Sequence, residues 1–240
     1  MDRILIVPAA GRGSRLGADT PKALVAVNGR PMLDHLLDRH APFVNRVVLV
    51  VAPDAYDRFA AFAAERGEAI DLVTQATPTG MLDAIALAQP VVAAERPARI
   101  AITWCDQIAL SPATVASLAE RAMSPDAPAL AFPTALVERP YIHFDRDAAG
   151  RIVDVRQRRE GDDMPTRGET DMGLFDLSLE AYLHHLMAFA GEARASRGTG
   201  ERNFLPFIPW LAAKAAVETL PGGSPIEAVG INTPEELTAV

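Results

Sequence analysis

Strand-like and helix-like segments alternate through the first half of this chain. Apolar, β-rich runs cover residues 3–7, 46–51, 69–74 and 98–104, and stretches with helical spacing cover 32–40, 54–66 and 80–89. Strands that alternate with helices in this way build βαβ units, in which a largely parallel sheet is covered by helices. The run Val47-Val48-Leu49-Val50-Val51 is apolar at every position, as a strand covered on both faces should be. Ser111 followed by Pro112 reads as an N-cap and a first helical position, opening a helix that runs to about Met123.

From Ala129 the pattern changes. Residues 129–136, 141–145 and 151–158 read as strands, and Asp147-Ala148-Ala149-Gly150 is a turn signal, so a hairpin fits better than another βαβ unit. Residues 169–175 read as a strand and 179–190 as a helix. Residues 191–201 are polar, basic and glycine-bearing, and read as a mobile loop. A helix over 204–215, a short strand over 217–220 and a strand over 227–232 complete the pattern. Thr233, Pro234 and Glu236 then form a capping-box start. There is no internal repeat, low-complexity segment or convincing linker. The expected organisation is one domain over 1–240, with a nucleotide-binding half over 1–125 and an acceptor-binding half over 126–240. Nothing in the sequence sets the oligomeric state.

Charge and composition exclude several classes. A formal net charge of −8 lacks the basic footprint of a nucleic-acid-binding protein. The single cysteine, Cys105, rules out an intrachain disulfide and suits a reducing compartment. No apolar run is long enough for a transmembrane helix, so no membrane partner is expected. Met1-Asp2-Arg3 leads straight into a strand without a signal-peptide pattern, and the cytoplasm is the expected compartment.

The first strand ends in a loop built to hold a polyphosphate. Ala9, Ala10, Gly11 and Gly13 are followed by Arg15, and Lys22 comes shortly after. Glycine lets backbone N–H groups approach phosphate oxygens closely. The string lacks the Gly-Lys-Ser/Thr of a P-loop, and Leu16 stands where a dinucleotide fingerprint needs its third glycine. Val7-Pro-Ala-Ala-Gly-Arg-Gly-Ser-Arg-Leu16, followed by Pro21-Lys22-Ala23-Leu24, instead resembles the signature of the sugar-1-phosphate nucleotidylyltransferases, the nucleotide-sugar pyrophosphorylases. That resemblance implies an α/β fold: a Rossmann-like, GT-A-like nucleotidyltransferase three-layer sandwich around a central mixed, mostly parallel sheet. It also implies Mg²⁺-dependent transfer of a nucleotidyl group from an NTP to a phosphorylated acceptor, with release of pyrophosphate.

Other segments extend the resemblance. Asp106 ends the strand over 98–104. In open α/β sheets ligands sit outside such strand ends, and an Asp there serves either as a turn cap or as a Mg²⁺ ligand. Gln75-Ala76-Thr77-Pro78-Thr79-Gly80 resembles the segment of thymidylyl- and uridylyltransferases in which the Gln and Gly contact the base. An amide offers a donor and an acceptor, matching the imide edge of uracil or thymine; an ordinary loop glutamine is the competing reading. Asn232 stands where the family has its second metal ligand, or simply precedes a helix cap. Gln157-Arg158 replaces a family Glu, often followed by Lys. Glu169-Thr170-Asp171-Met172-Gly173 places Asp171 where Asn is usual. Both departures fall on the acceptor side.

These resemblances imply a division of labour. Gly11, Gly13 and Arg15 would hold the β- and γ-phosphates, with Ala9 and Ala10 in the same loop. Lys22 would bridge the α-phosphate and the incoming phosphate, and Asp106 and Asn232 would hold Mg²⁺. Gln75 and Gly80 would read the base, favouring UTP or dTTP. Gln157, Arg158, Asp171 and Gly173 would face the acceptor, with a sugar 1-phosphate the first choice. A cytidylyl- or guanylyltransferase for another phosphorylated acceptor (phosphocholine or molybdopterin type) is the enzymatic alternative. A nucleotide-binding regulatory protein without turnover is the alternative of another class. His184-His185 reads as a surface or partly packed pair, and Cys105 as a small packed residue.

Overall fold

The computed structural model describes residues 2–11 and 20–231. The strands are β1 (Arg3–Pro8), β2 (Ala26–Val27), β3 (Arg30–Pro31), β4 (Arg46–Val51), β5 (Ile70–Thr74), β6 (Arg99–Thr103), β7 (Leu130–Glu138), β8 (Ile142–Arg146), β9 (Ile152–Gln157), β10 (Arg167–Asp171), β11 (Leu174–Ser178) and β12 (Val217–Pro221). The α-helices are α1 (Met32–His40), α2 (Tyr56–Arg66), α3 (Met81–Ala86), α4 (Gln89–Glu95), α5 (Pro112–Ala122), α6 (Met187–Glu192) and α7 (Phe207–Ala212). An eight-stranded sheet has the order β10-β7-β11-β6-β1-β4-β5, with β12 on β7. Pairs β1/β4, β1/β6, β4/β5 and β12/β7 are parallel; β10 and β11 run antiparallel to their neighbours. The expected mixed, mostly parallel α/β sheet is present.

The apolar alternation explains the two-sided core. Ile4 and Ile6 of β1 and Val48 and Val50 of β4 point into one buried cluster. Leu5, Val7, Val47, Leu49 and Val51 point into the other. Successive side chains of a strand face opposite ways, so a strand covered on both faces needs apolar residues throughout. Helix ends follow local chemistry. The Ser111 hydroxyl accepts the Thr114 N–H at 3.1 Å to start α5, and α2 ends at Gly67 with φ of +67°. At the end of the sheet where β1 and β6 begin, buried Asp176 accepts from Arg3 Nε and Arg99 Nε, each at 2.6 Å.

Several expected boundaries differ. The helix expected over 80–89 is α3, which ends at Ala86, and a separate helix, α4, which the sequence pattern does not predict, follows over Gln89–Glu95. The strand expected over 169–175 is broken at Met172-Gly173: β10 pairs only with β7, whereas β11 lies between β7 and β6. Gly173 has φ of +64°, and a Cβ there would lie 2.6 Å from Trp104 Cδ1. The helix expected over 179–190 opens as a π-helical turn, Ala181–Leu186. The strand expected over 227–232 is not formed by its first residues. Pro225–Ala228 is a 3-10 turn, because the Glu227 side chain caps Ser224 N–H at 2.9 Å and Ser111 N–H at 2.8 Å. The cap at Thr233 lies outside the described residues. No helix among those described is long and apolar enough to cross a membrane.

Candidate active site

The C-terminal ends of the parallel strands gather the predicted residues. Ala9, just after β1, donates its N–H to Val50 O at 2.7 Å. Gln75, just after β5, donates its N–H to Val51 O at 2.9 Å. The loops that follow β1 and β5 therefore leave the sheet on either side of the end of β4. Ala10 and Gly11 continue from β1, and among the described residues nothing lies within 4 Å of where a Cβ on Gly11 would stand. Gly13, Arg15 and Asn232 lie outside the described residues.

Lys22, on the 3-10 turn Lys22–Leu24, pairs its ammonium with Asp106 Oδ2. Both side chains are nearly buried, 13% and 14% exposed. The loop carrying Asp106 is held from three directions. Arg39, in the last turn of α1, donates to the carbonyls of Ile108 and Leu110. Glu227 holds Ser111. Ile231 N–H reaches Asp106 O at 3.2 Å, and a Cβ on Gly230 would stand 3.0 Å from Asp106 Oδ2. The chain leading to Asn232 thus lies against Asp106. Among the described residues no group of three or more His, Cys, Asp or Glu side chains is placed to hold a metal. A single carboxylate at a strand end instead fits Mg²⁺ shared with substrate phosphates, since that ion is usually held by one or two carboxylates and phosphate oxygens.

The loop after β5 has a defined geometry. Gln75 is buried, and its Nε2 donates to Gly80 O at 3.1 Å. This fixes the carboxamide plane while using one of its two N–H donors. Gly80 has φ of +124° and precedes α3. A Cβ on it would lie 2.5 Å from both Arg202 N and Arg202 O, so glycine is required on steric grounds.

The predicted acceptor residues form two groups. Asp171 and Gly173 stand beside the end of β6: Gly173 N–H donates to Asp171 Oδ2 at 2.9 Å, and Gly173 O accepts from Trp104 N–H at 3.1 Å and Thr103 Oγ1 at 3.0 Å. Burial pushes the Asp171 carboxyl up to about 6, against the opposing backbone hydrogen bonds. Gln157 and Arg158 belong to the turn after β9. Gln157 is buried and its N–H donates to Asp162 Oδ2 at 2.7 Å. Arg158 Nη2 donates to Pro140 O at 3.0 Å and Arg139 O at 3.2 Å. None of these bonds reaches the Lys22–Asp106 pair.

The family match decides what this arrangement belongs to. The MobA-like NTP transferase domain family matches residues 5–170. The chain belongs to that family. The NTP transferase match takes in the glycine-bearing loop after β1, Lys22, Gln75, Gly80, Asp106, Gln157 and Arg158, and stops one residue before Asp171. The chain is 34% identical over 116 residues to the Bifunctional protein GlmU of Cereibacter sphaeroides (strain ATCC 17025 / ATH 2.4.3), covering 48% of this chain and 25% of that protein. It is 28% identical over 239 residues to the Bifunctional protein GlmU of Azoarcus sp. (strain BH72), covering 97% of this chain and 50% of that protein. It is 50% identical over 64 residues to the 2-C-methyl-D-erythritol 4-phosphate cytidylyltransferase of Laribacter hongkongensis (strain HLHK9), covering 25% of this chain and 28% of that protein. The chain thus spans half or less of the length of these curated relatives.

Sequence reasoning overlooks some residues of this NTP transferase domain. Arg39 belongs to no motif of the sequence, yet it fixes the Asp106 loop. Trp104 and Gln107 wall Gly173, and their position is visible only through the space they deny a Cβ. Cys105 is a packed thiol: burial, and then the charge of Asp106, push it up to about 12, far from thiolate reactivity. His184 and His185 lie in the π-helical turn, where the His185 ring meets Trp210 edge-on at 6.2 Å.

Proposed function

We propose that this domain transfers a nucleotidyl group from an NTP to a phosphorylated small molecule and releases pyrophosphate. UTP or dTTP is the favoured nucleotide and a sugar 1-phosphate the favoured acceptor. The observation that carries the reading is the Lys22–Asp106 pair just past the end of β6, the strand that lies parallel beside β1. A cation and a carboxylate held together at this end of a parallel sheet stand where a triphosphate belongs.

The chemistry needs no general base. A phosphate monoester has a second pKa of about 6, so the acceptor is largely dianionic at neutral pH. The barrier lies in bringing two anions together and in stabilising charge on the departing pyrophosphate. Positioning and electrostatics must supply the acceleration. Lys22 neutralises charge between the α-phosphate and the incoming phosphate. The backbone N–H groups of the loop from Ala9 through Gly11 to Gly13, with Arg15, hold the β- and γ-phosphates. Asp106, joined by Asn232, would hold Mg²⁺, which supplies further charge neutralisation on phosphate oxygens. Gln75, oriented by Gly80, reads the edge of the base. Asp171 and Gln157 face the acceptor, with Arg158 at the neighbouring turn.

The likeness to a cytidylyltransferase favours CTP as the second nucleotide to test. The test is pyrophosphate release with Mg²⁺, pairing each of UTP, dTTP, CTP, GTP and ATP with sugar 1-phosphates and phosphocholine. Release that requires both partners, strongest with a pyrimidine nucleotide and a sugar 1-phosphate, is expected. Nucleotide binding without release across the whole set would overturn the reading.

A further inference from the structure

Residues 196–203 do not behave as the free polar loop their composition implies. Their ends close on each other: Ser196 N–H donates to Glu201 O at 2.9 Å, and Gly200 N–H to Ser196 O at 3.2 Å. One side of this segment is bound to Glu160, three residues beyond Gln157. The Glu160 carboxylate accepts from Thr199 N–H at 3.1 Å, Thr199 Oγ1 at 2.8 Å and Asn203 Nδ2 at 2.8 Å. Gly198 lies flat against it, where a Cβ would stand 2.8 Å from Glu160 Cα. Arg159 adds bonds to Asn203 Oδ1 at 3.0 Å and to the Glu201 carboxylate. Burial alone would raise the Glu160 carboxyl, but the hydrogen bonds from Asn203, Ser196 and Thr199 outweigh it and hold the group at about 2.

The other side grips the base loop. Arg202 N–H donates to Thr79 O at 2.8 Å, and Leu82 N–H donates to Arg202 O at 3.0 Å. These two bonds bracket Gly80, which is pressed so closely on the Arg202 backbone that a Cβ has no room. The Arg202 guanidinium is tied to Asp83 and to Ala190 O. Gly80 O in turn holds Gln75 Nε2. A continuous path of bonds and close packing therefore runs from Glu160 through Thr199, Asn203 and Arg202 to Gly80 and the Gln75 amide.

We propose that residues 196–203 form a strap that positions the base-reading amide of Gln75, with Glu160 as its anchor and a positioning residue for base selectivity. The inference rests on the base-reading role given to Gln75 above. Glu160 touches neither the base loop nor, in this assignment, the nucleotide; it acts by fixing where the Arg202 backbone stands. Hydrogen bonds to a charged acceptor are stronger than neutral ones, so a carboxylate makes a firmer anchor than an amide.

The test is equilibrium binding, with Mg²⁺, of UTP, dTTP, CTP, GTP and ATP. The proteins compared are the wild type, Gln75→Ala, Glu160→Gln, Glu160→Ala and the double variant Gln75→Ala/Glu160→Ala. Glu160→Gln keeps the side-chain shape and guards against a folding artefact. Glu160→Ala is expected to lower the ratio of pyrimidine to purine affinity by about tenfold, the size of one lost well-placed polar contact. Glu160→Gln should lower it less, and the double variant should match Gln75→Ala alone. A merely structural role would weaken every nucleotide alike and leave the ratio untouched. An unchanged ratio in Glu160→Ala, or losses that multiply in the double variant, would overturn the strap. A wild type without preference, or a Gln75→Ala variant that keeps it, would overturn the base reading itself and the strap with it.

Discussion

Asp171 shows how a single residue sets a pH response. Its carboxyl is buried, has backbone N–H groups as donors, and titrates at about 6 rather than in the ordinary carboxylate range. Between the unfolded value of 3.8 and 6 the native state keeps a proton that the unfolded chain has released, so raising pH through this window lowers stability. Asn in its place keeps an oxygen for the Gly173 N–H and removes the charge. A tenfold change in proton affinity is worth about 1.4 kcal/mol, so Asp171→Asn should stabilise the protein at pH 8 by about 2–3 kcal/mol, with the gain fading toward pH 4. Urea unfolding of both proteins at the two pH values measures it; an equal difference at both would contradict the assignment. His40 works in the opposite sense. Burial, then Arg3 and Arg39, push it down to about 3, so the unfolded state takes up the proton first and stability falls as pH drops below 6.5. Comparing Asp171→Asn with the wild type cancels the His40 contribution.

At the scale of elements, two glycines decide where the chain turns. Gly173 lets the chain leave β10 and re-enter the sheet as β11 between β7 and β6, bringing Asp171 beside the end of β6. Gly80 lets the base loop press on the Arg202 backbone. Gly80→Ala should cost roughly 1–3 kcal/mol from its backbone conformation alone, before the contact with Arg202 is counted. Chemical denaturation would reveal that loss, and unchanged stability would refute the close approach. Both glycines are legible in the sequence as candidate site positions, but the close backbone approach at Gly80 and the chain break at Gly173 are not. Apolar periodicity locates β1, β4, β5 and β6 to within a residue or two, because burial on both faces leaves a continuous signal. Ser111 and Pro112 mark the start of α5 because capping is local. The segment at 196–203 and the turn at Pro225–Ala228 escape a reading by composition for the converse reason. Their partners, Glu160 and Ser111, are distant in the chain, and composition says nothing of distant partners. Gln75 and Asp106 are legible as candidates because each follows a strand of an open α/β sheet, and Lys22 because it stands in the Pro21-Lys22-Ala23-Leu24 string after the glycine loop. The contribution of Arg39 is not, since a basic residue in a last helical turn already has an ordinary explanation.

At the scale of the whole molecule, one sheet of the described residues carries both groups of candidate residues. Strands β1, β5 and β6 lead into the proposed phosphate loop, the proposed base loop and Asp106, with β4 between β1 and β5; β7, β10 and β11 extend the same sheet and place Asp171 and Gly173 against the end of β6. The buried Arg3–Asp176–Arg99 cluster ties the two parts together near the start of β1 and β6, away from the candidate site. Asp176 belongs to β11 and the arginines to β6 and β1, so the ionic contact crosses the boundary between parallel and antiparallel strands. The proposed reaction centre, Lys22 and Asp106, stands beyond the other end of β6. The most direct test is single-turnover pyrophosphate release by Lys22→Ala at saturating NTP and acceptor, with folding checked by circular dichroism. Loss of one transition-state cation should slow release by roughly 10²–10³ while the protein stays folded. Release at the wild-type rate from a folded Lys22→Ala protein would contradict the assignment of this pair as the reaction centre.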